Sequence, residues 1–180
     1  ALSSAASDVY KRQGYCTEDF DLWPQFCRCI LVLVMLFGGC AGSTAGGVKV
    51  SRIVLLCKSL RRDLRRVMHS REVRPITLDG HRVTEETVSS VSVFFFTYIS
   101  ILLLGTLILS LDNIDFTAAF TASLTAISNV GPGLGAVGPT CNFGFLSGIS
   151  KLTMSAIMLL GRLEIMPLLV LLMPSVWRRK

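Results

Sequence analysis

Apolar residues in this chain fall into runs that are long and nearly free of charge, at residues 30–37, 48–56, 88–111, 116–128 and 149–176. The run over 88–111 has 24 uncharged residues, enough for a helix to cross a bilayer, which takes about 20 residues at 1.5 Å each. Thr84, Glu85 and Glu86 precede it as an N-terminal signal, with Thr84 as the cap. Residues 24–57 are too long for one crossing. Their pattern breaks in the middle, where FGGCAGSTAGGVK at 37–49 places five glycines within residues 38–47. Pro24 suits the first turn of a helix, and Trp23 suits an interfacial anchor. The expectation is a helix broken at the glycines, with its exposed backbone lining a watery cavity or buried in protein.

Residues 116–128, FTAAFTASLTAIS, are too short to cross and too apolar for a surface loop. They predict a re-entrant helix capped by Asp115 and stopped by NVGPG at 129–133. The negative end of that helix favours a cation at the break. Carbonyl oxygens of the extended residues beyond it can replace an ion's hydration shell. Asn129, Val130 and Gly131 are therefore selectivity-filter candidates. The last run carries Arg162 and Glu164 deep within apolar sequence, where isolated charge is costly and each must face protein or water. They stand two apart on the helix and do not pair with each other.

Polar residues between the runs are sorted by sign. Lys58, Arg61, Arg62, Arg65, Arg66, Arg71, Arg74 and Arg82 outnumber the acids of the same loop, and the chain ends in Arg178, Arg179 and Lys180. Glu18, Asp19, Asp21, Asp112 and Asp115 lie in the alternate loops. Basic loops inside and acidic loops outside give one orientation. Composition agrees, at 51% hydrophobic with a net charge of +6. The cations sit in loops rather than on an aromatic-laced face, which argues against nucleic acid. GLGAVG at 133–138 satisfies a dinucleotide fingerprint but lacks its preceding strand and its following helix. Six cysteines and two histidines show no zinc spacing, and the cysteines read as small packing residues. No catalytic constellation is present, so no enzyme and no bound cofactor are expected. Residues 3–13, SSAASDVYKRQ, read as a translated sequencing adapter, and natural sequence is expected from Gly14.

Three ordered motifs, GGCAGSTAGGVKVSR, NVGPGLGAVGP and MLLGRLEIMPLLVLLMPSVWR, resemble the carboxy-terminal half of the TrkH-type potassium uptake proteins of the Trk/Ktr/HKT superfamily. The resemblance implies an all-α integral membrane protein. It also implies that this chain is the C-terminal fragment of a fourfold, K+-channel-like arrangement of helix, pore helix, filter and helix. On that scheme residues 1–13 are adapter, 14–60 end a third pore unit, 61–87 form a basic cytoplasmic loop, 88–176 are a fourth pore unit, and 177–180 are a cytoplasmic tail. Gly131 is similar to the fourth filter glycine and Gly14 to the third. The family carries threonines before that third glycine. Arg12 and Gln13 stand here instead, as the adapter reading requires. Gly38, Gly39, Gly42, Ser43, Thr44, Gly46 and Gly47 are similar to the intramembrane loop that hinders ions below the filter, and Arg162 to the arginine that projects toward it.

The implied function is potassium uptake through a gated, glycine-lined filter in the inner membrane of a bacterium. K+ is the transported ion and the only metal expected. Symport and channel-like flow are both open, and a sodium-selective relative or a non-conducting helical scaffold is the alternative. The implied partners are a second copy in a homodimer, membrane lipid, and a cytoplasmic nucleotide-binding ring of the TrkA type, for which the basic segment Lys58 to Arg74 is a candidate docking surface. In that account the outer acids draw in the cation and Arg162 prevents overly tight binding below the filter.

Overall fold

A computed structural model describes residues 19–37, 47–68, 76–78 and 81–163. Five helices account for most of them: α1 (Gln25–Leu36), α2 (Val50–Met68), α3 (Glu85–Leu109), α4 (Phe116–Ser128) and α5 (Gly148–Arg162). The fold is all-α, apart from a two-residue ribbon in which β1 (Thr77–Leu78) pairs antiparallel with β2 (His81–Arg82).

The expected interruption is present. Helix α1 begins directly after Pro24, ends at Leu36, and is not continued by α2 until Val50. Phe37 and Val48, on either side of the break, pair as an isolated parallel bridge, so the two ends of the glycine stretch are held together. Gly47 adopts φ +81°, a left-handed conformation that favours glycine. The gate candidates Gly38, Gly39, Gly42, Ser43, Thr44 and Gly46 lie outside the described residues, as do Gly14, Glu18 and Glu164.

Caps set the remaining helix boundaries. Thr84 Oγ1 accepts the Thr87 amide at the start of α3, as its position before two glutamates predicts. Asp115 accepts the Thr117 amide at the start of α4 (3.2 Å), and Ser147 accepts the Ser150 amide at the start of α5 (3.3 Å). Helix α5 ends at Arg162, with Leu163 in a bend.

Helix α4 is the centre of the packing. Ten of its 13 residues are buried, which rules out a helix lying flat on a surface, and α1, α3 and α5 all pack against it. Its sequence allows this, because Ala118, Ala119, Ala122 and Ala126 leave room for neighbours to approach closely. Gly105 of α3 stands where a Cβ would collide with Ser123 of α4 and Ile157 of α5. Leu124 and Ile127 are fully buried, each contributing about 1.5–3 kcal/mol of apolar transfer. The opposite face of α3 is apolar yet uncovered, with Phe96 73% and Leu107 68% exposed. Such a face belongs against lipid or further protein rather than water. Among the described residues, Glu85–Asp112 is the one helical stretch long and apolar enough to cross a membrane.

The cysteines differ from expectation. Among the described residues, Cys29, Cys57 and Cys141 are exposed and Cys27 is partly covered; Cys16 and Cys40 lie outside them. Cys27 and Cys29 lie in α1, Cys57 in α2 and Cys141 in a loop, and these small thiols do not fill this core.

Candidate functional site

Helix α4 enters the bundle at Asp115 and stops part-way through it. Its last residue, Ser128, shares a hydroxyl hydrogen bond with Tyr98 of α3 (2.9 Å). Tyr98 precedes the end of α3 by 11 residues, roughly 16 Å at 1.5 Å per residue. Helix α3 is 25 residues long, so α4 ends near its middle. A helix terminus at that depth is what the short apolar run predicts.

The termination is a Schellman motif. Asn129 takes the left-handed conformation (φ 54°, ψ 44°), its amide bonds to the Ala126 carbonyl (3.2 Å), and the Val130 amide bonds to the Thr125 carbonyl (3.1 Å). Asn129 Nδ2 donates to the Met158 carbonyl of α5 (3.1 Å). The side chain of Asn129 is therefore a strut to α5, a role its sequence position did not reveal. Val130 is buried, and Gly131 follows at φ +117°, a conformation strained for any residue with a Cβ. Asn129, Val130 and Gly131 thus form one sharply turned segment at the negative end of a buried helix dipole. Carbonyl oxygens left unpaired there can accept a cation.

Behind this segment the hydroxyls of α4 act as tethers. Thr121 Oγ1 accepts the Leu134 amide (3.1 Å) while donating to the Thr117 carbonyl (2.7 Å). Ser123 donates to the Leu102 carbonyl of α3 (3.0 Å), and Thr125 to the Ala122 carbonyl (3.0 Å). Each is buried and each is satisfied, as burial in a low-dielectric interior demands. Sequence reading took this run as merely apolar and missed them. The signal was there, since Ser and Thr recur among alanines at positions a helix must bury.

Arg162 follows Gly161, and a Cβ on Gly161 would run into the Ile127 main-chain carbonyl. The end of α5 therefore lies against the C-terminal turn of α4. This puts the backbone of Arg162 at the depth of the filter candidate, with its side chain exposed. Gly47, the one described glycine of the stretch, is on the other side of the break from α1.

The acids prove to be structural as well as charged. Asp19 accepts the Asp21 amide (3.0 Å), Asp21 accepts the Gly135 amide (2.9 Å), and Asp112 accepts the Ser147 amide (2.9 Å). Hydrogen bonds from the Thr117 side chain and from the Thr117 and Phe116 amides hold the Asp115 carboxyl below its ordinary range. On the opposite side, Arg62 pairs with Glu85 and Asp63, Lys58 Nζ donates to the Thr77 carbonyl (2.7 Å), and Arg52 lies over the Phe94 ring at 4.2 Å.

Residues 8–178 match the TrkH family, described as a cation transport protein. The chain is 38% identical over 165 residues to the Trk system potassium uptake protein TrkH of Salmonella typhimurium, covering 92% of this chain and 34% of that protein. It is 35% identical over 173 residues to TrkG of Escherichia coli, covering 96% and 35%. It is 38% identical over 175 residues to TrkI of Halomonas elongata, covering 95% and 35%. The crystal structure of the potassium transporter TrkH from Vibrio parahaemolyticus superimposes with a TM-score of 0.83 at 38% identity, over 94% of this chain and 36% of that one. The chain thus spans about a third of the length of these relatives. The family match over nearly its full length and the agreement of fold together establish that this chain belongs to the TrkH family of cation transport proteins.

Proposed function

We propose that the whole protein takes up potassium ions across the inner membrane of a bacterium, and that this segment supplies one filter strand and one barrier. The observation that carries the reading is the buried helix α4, which ends in mid-bundle at left-handed Asn129 and positive-φ Gly131. A simple helical scaffold has no need of a helix that stops at half depth. The dipole of α4 and main-chain oxygens near Gly131 replace water around the cation. The broken helix between α1 and α2 forms the barrier below, since a loop with few side chains to pin it can swing aside. Arg162 opposes the ion there, so that it binds weakly enough to leave.

The relatives named as Trk system uptake proteins support the choice of potassium. The whole protein is read as a homodimer in lipid, regulated by a nucleotide-binding ring of the TrkA type on its basic side, with no cofactor of its own. The direct test is rubidium uptake and potassium-limited growth in a transport-deficient bacterium expressing the full-length protein. Uptake lost in Gly131→Ala but retained at normal expression in Gly148→Ala, whose added Cβ meets open space, is the expected result. Full uptake in both would favour a scaffold.

A further inference from the structure

GLGAVG at 133–138 follows a helix and a loop rather than a strand, and its backbone is already engaged with an anion. The Gly135 amide, at φ +67°, donates to both carboxylate oxygens of Asp21, at 2.9 and 3.0 Å. A Cβ on Gly138 would strike the same carboxylate, so the loop wraps closely around it. Asp21 is itself held in place. It sits in a 3-10 turn (Phe20–Leu22) whose Phe20 is completely buried, and Asp19 accepts the Asp21 amide. The carboxylate therefore ties together two chain segments 114 residues apart in sequence.

From this geometry we infer that Asp21 is a positioning residue for the filter, acting as an acceptor that fixes the loop leaving Gly131. The mechanical connection is short. Gly133 N bonds to the Val137 carbonyl (2.7 Å), Leu134 N bonds to Thr121 Oγ1 of the pore helix (3.1 Å), and Gly135 N bonds to Asp21. One end of the Gly131 strand is set by the Schellman turn at Asn129, and the other by this carboxylate. Asp21 belongs to the unit of residues 14–60 and Gly131 to the unit of residues 88–176 that α3 opens, so the contact fixes two pore units against each other. An aspartate placed only to attract cations would have no reason to chelate a backbone amide. This inference rests on the filter reading of the 129–131 segment.

The test uses the full-length transporter, with rubidium and sodium uptake measured for Asp21→Ala, Asp21→Asn and Gly138→Ala. Asp21→Ala is expected to lower the rubidium-to-sodium uptake ratio roughly tenfold, the scale of one lost charge-assisted hydrogen bond. Asp21→Asn keeps a carbonyl acceptor and is expected to recover most of that ratio. Gly138→Ala presses on the contact from the loop side and should reproduce the loss; it decides the matter if Asp21→Ala does not accumulate. An unchanged ratio in Asp21→Ala, or in Gly138→Ala when only that variant accumulates, overturns the inference. Equal rises in KM for Asp21→Ala and Asp21→Asn, with the ratio unchanged, also overturn it and assign Asp21 to cation attraction. If the unsubstituted protein shows no rubidium preference, the filter reading fails instead.

Discussion

Gly131 and Gly161 are glycines for different reasons, and each reason gives its own prediction. At Gly131 the backbone itself requires glycine, since φ is +117°. Alanine there should strain the segment by about 1–3 kcal/mol, abolishing ion preference before it abolishes folding, as read by uptake ratio against expression. At Gly161 the backbone is ordinary helix and the obstacle is the Ile127 carbonyl. A main-chain atom cannot rotate away as a side-chain tip can, so Gly161→Ala should cost at least about 1–3 kcal/mol and lower the Tm of the purified full-length protein. Asp115 makes a third case. It is held below the ordinary value of 3.8 by hydrogen bonds from Thr117 and the Phe116 amide to its charged form. A carboxyl whose folded pKa is depressed stabilises the protein above its unfolded pKa and loses that contribution as pH falls through the folded one. The contribution of Asp115 to thermal stability should therefore be fully present from neutrality to about pH 5 and decline below about pH 4. Replacing Asp115 by asparagine should make the acid limb of Tm against pH shallower.

At the scale of elements, the short helix and the broken one were legible in the sequence, because length and charge alone exclude the alternatives. A 13-residue apolar run cannot span a bilayer, and five glycines cannot continue a helix. Thr84 and Asp115 were legible as caps for the same local reason. What surrounds α4 was not legible. The bond from Asn129 to Met158 and the bond from Asp21 to Gly135 join residues 29 and 114 positions apart, and no periodicity within one element encodes a partner in another. The hydroxyls of α4 were overlooked because Ser and Thr inside an apolar helix give no sign of whether they bond back along it or across to a neighbour. Thr125 does the first, and Ser123 and Ser128 the second. The distinction is testable. Ser123→Ala breaks a link between α3 and α4 worth about 1 kcal/mol and should lower Tm, whereas Thr125→Val keeps the buried shape, gives up only a bond within α4 and should lower Tm less.

At the scale of the whole molecule, α4 is covered while the far side of α3 is not. Leu103, Leu104 and Leu107 stand exposed beside Phe96, in a chain that spans about a third of the length of its relatives. The segment by itself should not rescue potassium-limited growth, because one filter strand cannot surround an ion. In the full-length transporter, deleting residues 42–46 or replacing Arg162 by glutamine should raise leak flux by removing the barrier below the filter. Unchanged flux in both variants would detach the gate from these residues. The claim on which all of this depends is that an ion sits at the main-chain oxygens beside Gly131. Anomalous diffraction from crystals of the full-length protein grown in rubidium tests it most directly. A rubidium peak is expected against the carbonyls of Val130 and Gly131, above the break between α1 and α2; a transport-competent protein whose rubidium peaks all lie away from that segment would contradict this.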